Sequence, residues 1–306
     1  MTQGLAGRVA FVTGGSRGVG RSIALALAEA GADVAINYRR DDASAQEAPH
    51  ALRATGVRAM AVAGSVADPD ACDAMVDQVE AELGPVSILV NNAGIASRGL
   101  AVADTTAQEL ARVMGTHAFA AHALSKRVVP AMRGQDRGDI IMISSVATRG
   151  LGANGAPYNM AKAALEALAM TLAKEERAHG IRVNVVAPGL VDTDMGRRLV
   201  AATQGVENVR TLDATMPFGR VCQPEDVANV VRFLVSPDNS YLRGSGSTAM
   251  AVAPSPGAGS PSRSLPSAAC APGPGFLPGA GLSGGQRDAP SPVPVFRNQR
   301  CAVAPP

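Results

Sequence analysis

The sequence contains no tryptophan and few other aromatic residues, since Phe, Trp and Tyr together make up 3% of its 306 residues. This scarcity excludes an aromatic core. Hydrophobic residues still reach 46%, so a large core must be built from Ala, Val, Leu, Ile and Met. The net charge is only +2, which is too small an imbalance to indicate nucleic acid or a membrane surface as a partner.

Cysteine is scarce as well, and the spacing of Cys72, Cys222, Cys270 and Cys301 matches no metal site or redox motif. Reduced, non-catalytic thiols of this kind are typical of cytoplasmic proteins. No apolar run approaches the ~20 residues of a membrane span. The N-terminal segment lacks the charged start and long apolar stretch of a signal peptide. We therefore expect a soluble, cytoplasmic, globular protein without a metal site.

Short apolar segments alternate with helix-length segments between residue 8 and about residue 235. The strand candidates are residues 8–14, 33–38, 57–64, 86–94, 139–145 and 181–189. They are apolar throughout, which is typical of parallel strands covered by helices on both faces. The pattern predicts an α/β fold with a doubly wound parallel sheet, Rossmann-like, in a single domain over residues 1–245.

The composition changes after about Gly244. Twelve of the 21 prolines lie beyond Ala253, mixed with Gly, Ser and Ala, and no period of 2 or 3.6 residues is present. Such a segment cannot bury enough apolar surface to offset the entropy of ordering it. We predict that residues 246–306 form a disordered tail and not a second domain.

A glycine-rich segment, TGGSRGVG at 13–20, stands between the first strand candidate and a helical segment rich in Ala and Leu. Glycine permits the tight turn and close backbone approach that a pyrophosphate needs, and a helix N-terminus supplies free N–H groups. The alternative is a purely structural turn. The cofactor contacts predicted here are Gly14, Gly15, Ser16, Arg17, Gly18, Val19 and Gly20.

The end of the second strand candidate indicates which nicotinamide cofactor is preferred. An NAD enzyme usually has an acidic residue there for the ribose hydroxyls, whereas this chain has Arg39 and Arg40 after Tyr38. A guanidinium suits a 2′-phosphate by charge and by geometry, and Arg17 offers a second positive group. We favour NADP(H) and leave NAD(H) open, because both arginines at the strand end are alternatively ordinary solvated charges.

Three polar residues form a candidate catalytic group. Tyr158 and Lys162 are four residues apart, on one face of a predicted helix, and Ser145 ends a predicted strand. An ammonium near a phenol lowers the pKa of the tyrosine towards neutrality, as acid–base catalysis on an alcohol or ketone requires. A Tyr-x-x-x-Lys pair alone is often only a surface helix, but the combination with a nucleotide loop is more specific.

With these motifs the chain resembles the short-chain dehydrogenase/reductase family, in its branch of about 250 residues, over residues 5–244. The matching segments are TGGSRGVG at 13–20, NNAG at 91–94, Ser145, YNMAK at 158–162, Pro-Gly at 188–189 with Thr193, and GRVCQPEDVANVVRFLVS at 219–236. Within the family the chain looks most like bacterial β-ketoacyl-acyl-carrier-protein reductases.

The resemblance implies a role for each matching residue. Tyr158 donates a proton to the substrate carbonyl while hydride arrives from the nicotinamide, Lys162 binds the nicotinamide ribose, and Ser145 polarises the carbonyl. The further cofactor contacts it implies are Asn92, Ala93, Gly94, Pro188, Gly189, Val191 and Thr193. Ser65 and Val66 occupy the adenine position, where the family commonly has an Asp before the apolar residue.

The chain departs from the family at a helical position where an Asn usually helps a water reach the lysine. The alignment puts His117 there. Histidine donates, accepts and titrates near neutrality, so His117 is a candidate catalytic proton relay. The alternative is a packed or surface histidine.

The chain departs again after residue 244, where the family supplies one more strand ending in a V-D-G-G-like turn. Residues 245–252 are SGSTAMAV instead, so we expect the last strand to be missing or replaced. We hypothesise a frameshift, because the last base of the Met250 codon with the first two of Ala251 encodes Gly, and the neighbouring codons can encode Asp before it and Gly after it. Resequencing the gene around codon 245 tests this, and the absence of a family-like ending in any alternative frame would refute it.

The function predicted from these features is hydride transfer between NADP(H) and a ketone or secondary alcohol, with a 3-oxoacyl thioester as the first substrate class. Residues 192–223 are expected to form the substrate lid. The family resemblance also implies a homotetramer or dimer, weakened by the altered C-terminus. The alternative is a catalytically impaired member that serves as a nucleotide-binding scaffold.

Overall fold

The computed structural model describes residues 4–40, 42–216 and 218–242, together with the backbone of residues 248–249. Apart from that pair, the predicted tail at 246–306 lies outside the described residues, as do Cys270 and Cys301. The domain boundary predicted near residue 245 therefore stays a prediction.

A parallel sheet forms the centre of the protein. Its strands are β1 (Val9–Val12), β2 (Asp33–Tyr38), β3 (Ala59–Ala63), β4 (Ile88–Asn91), β5 (Gly138–Ile143), β6 (Ile181–Val186) and β7 (Thr248–Ala249). They lie in the order β3-β2-β1-β4-β5-β6-β7, and every neighbouring pair is parallel. The doubly wound α/β fold and the strand candidates of the sequence are confirmed.

The last strand is the one that the sequence predicts to be missing or replaced. The structure describes a strand at this place, β7, whose two residues pair with Val185 and Val186 of β6. Among the described residues, β7 is thus the neighbour that pairs with β6 on this side of the sheet.

Helices cover both faces of the sheet. They are α1 (Gly18–Glu29), α2 (Asp42–Arg53), α3 (Pro69–Leu83), α4 (Ala107–Met114), α5 (Ala120–Met132), α6 (Ala147–Gly150), α7 (Ala156–Glu176), α8 (Asp194–Gln204) and α9 (Pro224–Val235). A π-helical turn, Gly115–Phe119, joins α4 to α5. None of the helices in the described part of the chain is long and apolar enough to cross a membrane. The cytoplasmic location stays a prediction.

Two aliphatic cores explain why the strands are apolar on both sides. On β1, Phe11 packs in the core with α3, α5 and α7, whereas Val12 packs in the core with α1 and α9. Successive side chains of a strand point to opposite faces, so each strand serves both cores. Nearly all the core residues are Ala, Val, Leu, Ile or Met, as the composition requires.

A buried ionic cluster lies at one edge of the sheet, opposite the edge with the loops that follow β1 and β4. The carboxylate of Asp139 is fully buried and accepts hydrogen bonds of 2.8 Å from both Arg8 and Arg137. The same guanidinium groups donate to the backbone carbonyls of Leu234 and Val235 at the end of α9. The cluster thus anchors α9 to the sheet.

Candidate active site

The loops that follow β1 and β4 meet at one edge of the sheet. The chain runs from β1 outwards to β2 and β3 and then returns to β4 on the other side of β1. Open α/β sheets bind their ligands at the carboxyl edge of the strands where the order reverses in this way. The glycine-rich segment and Asn92–Gly94 both lie there.

The glycine-rich segment has the backbone geometry that its sequence predicts. Gly14 and Gly18 have φ angles of +62° and +53°, which side-chain-bearing residues rarely adopt. A Cβ on Gly20 would lie 2.3 Å from the carbonyl oxygen of Gly14. Arg17, the residue that precedes α1, makes no side-chain hydrogen bond that caps the N-terminus of this helix. The segment therefore fits a phosphate held by backbone N–H groups.

Asn37, a residue that the sequence patterns did not indicate, forms hydrogen bonds with this segment. Its side-chain oxygen accepts from the Gly14 N–H at 3.3 Å, and its backbone carbonyl accepts from the Gly15 N–H at 3.0 Å. The Asn92 amide donates to the Thr13 carbonyl at 2.8 Å, which joins the loops after β1 and β4. The available signal was a buried asparagine inside an apolar strand.

The residues Tyr158 and Lys162 lie on α7 as the spacing predicts. The Lys162 Nζ is 5.7 Å from the centre of the Tyr158 ring and donates to the Ile143 carbonyl oxygen at 2.6 Å. Lys162 is 3% exposed. Burial lowers the pKa of Lys162 to about 7, and the charge of Glu166 partly opposes this.

The expected pKa of Tyr158 requires a correction. Burial of the phenol raises its pKa, and a hydrogen bond from Ser145 only partly opposes that rise. The pKa of Tyr158 is therefore not brought towards neutrality in this structure, because desolvation of the buried phenol outweighs the interactions that stabilise the phenolate. Ser145 stands two residues after the end of β5, and the structure brings it together with Tyr158 and Lys162.

His117 lies in the π-helical turn and packs against the site. Its Nε2 lies 2.9 Å from the carbonyl oxygen and 3.2 Å from the backbone nitrogen of Ile95. Its Nδ1 has no hydrogen-bond partner among the described residues. His117 also lines a small cavity together with Thr13 and Asn91.

The expectation that His117 titrates near neutrality is wrong. Burial, followed by the charge of Lys162, lowers its pKa to about 3. The imidazole is therefore neutral at physiological pH, and any relay through it must use the neutral ring.

The other predicted cofactor residues border the same edge. Thr193 caps α8 by accepting from the Gly196 N–H at 3.1 Å, and its methyl group lies 3.4 Å from the Cβ position of Gly18. Pro188 and Val191 are buried in the loop after β6, beside Gly189. Ser65 is half-buried after β3, whereas the Val66 side chain packs into the core. Arg39 and Arg40 are exposed.

Comparison with known proteins identifies the family. Residues 14–249 match the family model described as Enoyl-(Acyl carrier protein) reductase. The chain is 38% identical over 238 residues to acetoacetyl-CoA reductase of Paracoccus denitrificans, which covers 78% of this chain and 94% of that protein. The chain belongs to the short-chain dehydrogenase/reductase family. Members of this family are oxidoreductases that act on alcohol and carbonyl groups, and this chain is one of them.

Two further relatives of this short-chain dehydrogenase/reductase show how far the similarity extends. The 3-oxoacyl-acyl-carrier-protein reductase FabG of Escherichia coli (strain K12) is 38% identical over 239 residues, 78% of this chain and 93% of that protein. The crystal structure of L-sorbose reductase from Gluconobacter frateurii, complexed with NADPH and L-sorbose, has a TM-score of 0.73 at 32% identity. It covers 80% of this chain and 95% of that chain.

The segment after Gly94 in this short-chain dehydrogenase/reductase is clamped by side chains that the sequence analysis missed. Glu109 is buried and accepts from the Arg98 N–H at 2.9 Å. Arg112 donates to Glu109 at 2.8 Å and to the Ala96 carbonyl at 3.1 Å. Together with His117, which contacts Ile95, they hold residues 95–98 against α4. The Glu–x–x–Arg spacing on a helix was the available signal.

Proposed function

We propose that the protein is an NADP(H)-dependent reductase that transfers hydride to the ketone of a 3-oxoacyl thioester. The assembly of Ser145, Tyr158 and Lys162 beside the glycine-rich segment carries this proposal. The names of the two most relevant relatives, an acetoacetyl-CoA reductase and a 3-oxoacyl-acyl-carrier-protein reductase, support the substrate class.

The residues present have the chemistry that the reduction requires. When bound, the nicotinamide supplies the hydride. Tyr158 donates its phenol proton to the carbonyl oxygen of the substrate, and Ser145 donates a hydrogen bond to the same oxygen as negative charge develops on it. The raised pKa of Tyr158 keeps the phenol protonated at neutral pH. The nearby Lys162 ammonium stabilises the phenolate that remains.

Several contacts of the chain fit NADP(H). The N–H groups of Gly14 and Gly15 donate to Asn37, so it is Arg17 to Gly20, at the N-terminus of α1, that offer backbone N–H groups to the pyrophosphate. The exposed Arg39 and Arg40 stand at the end of β2, where a 2′-phosphate is bound in this fold. Asn92 to Gly94 and Pro188 to Thr193 line the nicotinamide end. No acidic residue takes the place of the arginines at residues 39 and 40, so NADP(H) is favoured over NAD(H).

A lid at residues 192–223 suits a substrate with a flexible chain. Gly196 and Val200 bury one face of α8, while Met195 and Leu199 remain exposed on the adjoining face. The lid has its own small core around Val209 and Val221. An apolar face on a separately packed lid supports an acyl substrate over a small polar sugar.

We further propose a homo-oligomer. Helix α7 presents the apolar side chains of Met160, Ala163, Ala167 and Met170 on its exposed side, and Phe119 of the π-helical turn is 62% exposed. Their spacing of three and four residues forms a stripe of the kind that packs against another helix. Light scattering of the purified protein tests this, with a monomer as the contrary result.

Titration of the purified protein with NADPH and NADH, followed by addition of acetoacetyl-CoA, tests the enzymatic function. The expected result is tighter binding of NADPH than of NADH, and oxidation of NADPH upon addition of the thioester. Tyr158→Phe is expected to keep NADPH binding and lose at least about a thousandfold in kcat. Binding without turnover of any ketone would support a nucleotide-binding scaffold instead.

A further inference from the structure

A buried carboxylate of α7 contacts the segment that carries Ser145. Glu166 is 9% exposed, and its Oε1 accepts hydrogen bonds from the Ser144 hydroxyl at 2.6 Å and from the Thr148 hydroxyl at 2.9 Å. An oxygen that lies within hydrogen-bond distance of two hydroxyls joins both of them to the helix that carries it. The mechanism described above makes no use of this group.

These two hydroxyls stand on either side of Ser145. Ser144 precedes it directly, and the Thr148 backbone N–H donates to the Ser145 carbonyl oxygen at 3.2 Å, with the Thr148 hydroxyl oxygen 3.1 Å from the same carbonyl oxygen. Glu166 therefore ties both ends of the Ser145 turn to α7. The same helix carries Tyr158, so the distance between the two catalytic hydroxyls depends on this tie.

Glu166 also lies one helical turn after Lys162, on the same face of α7. The groups facing Lys162 are the Tyr158 phenol on α7, the neutral His117 on the π-helical turn and the Ile143 carbonyl on β5. Arg112 of α4 acts on His117. Among the described residues, Glu166 is the acidic group that favours the charged form of this buried lysine.

We propose that Glu166 is a positioning residue of the active site, whose single carboxylate both orients Ser145 through Ser144 and Thr148 and favours the charged form of the Lys162 side chain. This inference rests on the proposed reductase function for its kinetic consequence. Its electrostatic consequence is independent of activity and of cofactor.

The electrostatic part is measurable directly, because the chain contains only three lysines, Lys126, Lys162 and Lys174. In protein labelled with ¹³Cε-lysine and free of cofactor, NMR follows the titration of each, with Lys162→Met to assign the signal. We expect Lys162 to titrate at least about one pH unit lower in Glu166→Gln than in the unsubstituted protein. In Thr148→Val, which keeps the carboxylate, the Lys162 titration should stay within a few tenths of a unit.

The kinetic part compares the same variants with NADPH and acetoacetyl-CoA over a range of pH. We expect Glu166→Gln to lower kcat at least about tenfold and to move the alkaline limb of its pH profile to lower pH, with NADPH affinity within about threefold of the parent. Thr148→Val and Ser144→Ala should lower kcat without moving that limb. Thermal unfolding of each variant shows whether it is folded.

Either of two outcomes would overturn the inference: an unchanged Lys162 titration in folded Glu166→Gln, or a pH profile that moves equally in Thr148→Val. If Glu166→Gln does not fold, equal kcat in the parent, Thr148→Val and Ser144→Ala also refutes it. Failure of the unsubstituted protein to oxidise NADPH would instead refute the proposed function, and the lysine titration would still decide the role of the charge.

Discussion

The imidazole of His117 meets the phenol ring of Tyr158 edge to face, with ring centres 5.3 Å apart and ring planes at 86°. The same imidazole bonds to the backbone of Ile95. His117 thus links the segment after Gly94 to the tyrosine. The π-helical turn at Gly115–Phe119 determines the position of His117, because the helix between α4 and α5 is wider at this turn than an α-helix.

Replacement of His117 by Phe should destabilise the protein by about 1–3 kcal/mol at pH 7.5, since the Ile95 backbone loses its partner. This difference should depend on pH. The folded protein holds His117 neutral, with a pKa of about 3 against an ordinary 6.5, so protonation favours the unfolded chain and stability falls as pH drops from 6.5 to 3. The His117→Phe variant has no imidazole at this position, so its stability does not fall with pH for this reason.

Urea unfolding at pH 7.5 and pH 5.5 checks this prediction. The difference in unfolding free energy between parent and His117→Phe should narrow by about 1.4 kcal/mol between the two pH values. His122→Phe, at an exposed position of α5, is the control for the exchange of a histidine for a phenylalanine. A constant difference for His117→Phe would show that its imidazole titrates normally.

Gly20→Ala should impair cofactor binding more than it impairs folding. An added Cβ would lie 2.3 Å from the Gly14 carbonyl oxygen. The backbone fixes the position of a Cβ, and the oxygen is itself a backbone atom, so no rotamer change relieves the overlap. We expect NADPH affinity to fall at least about tenfold. Gly134→Ala is the matched control, since its Cβ would meet its nearest neighbour at 3.6 Å. Equal affinity in both variants would contradict the role of the Gly14 turn.

Arg39→Ala should discriminate between the two cofactors. A charged hydrogen bond to the 2′-phosphate contributes about 1.5–3 kcal/mol, so the Kd for NADPH should rise roughly 10- to 100-fold while that for NADH changes little. Fluorescence titrations of Arg39→Ala, Arg40→Ala and the double variant check this. An equal effect on both cofactors, or none, would mean that these arginines are solvated surface charges.

Asp192→Asn should loosen the lid. The Asp192 carboxylate, whose side chain is 7% exposed, pairs with Arg197 at 3.0 Å and with Arg210 at 3.5 Å. Both arginines are more than half exposed, so solvent screening limits the loss of stability to about 1 kcal/mol. We expect faster hydrogen exchange of residues 194–215 and a raised KM for the thioester.

Asp194→Asn serves as the control for the lid, because its carboxylate is 58% exposed and pairs with Arg197 alone. It should change the exchange rates much less than Asp192→Asn does. Slow exchange retained in Asp192→Asn would show that the small core of the lid holds it without the ion pairs.

The local signals of the sequence specified most of the fold. Apolar strands without alternation predicted a sheet covered on both faces, and the order of strands and helices then follows from the handedness of parallel connections. Ser145, Tyr158 and Lys162 were also predictable, because a four-residue spacing on a helix and a position at a strand end determine where side chains lie.

The contacts between distant segments were not predictable in the same way. Glu109, Glu166 and the Asp139 cluster appear in the sequence as ordinary charged residues, and only folding shows that they are buried with partners up to 131 residues away. Folding also reversed two expectations about pKa values. Burial raises the pKa of Tyr158, and it lowers the pKa of His117 so that this imidazole is neutral.

The sequence by itself therefore determined the sheet, the turn of the glycine-rich segment and the candidate catalytic side chains, because periodicity and turn chemistry act over a few residues. The tertiary structure decided the protonation states and the support of those side chains. Desolvation and hydrogen bonding depend on which distant segments surround a group, and no short stretch of sequence contains that information.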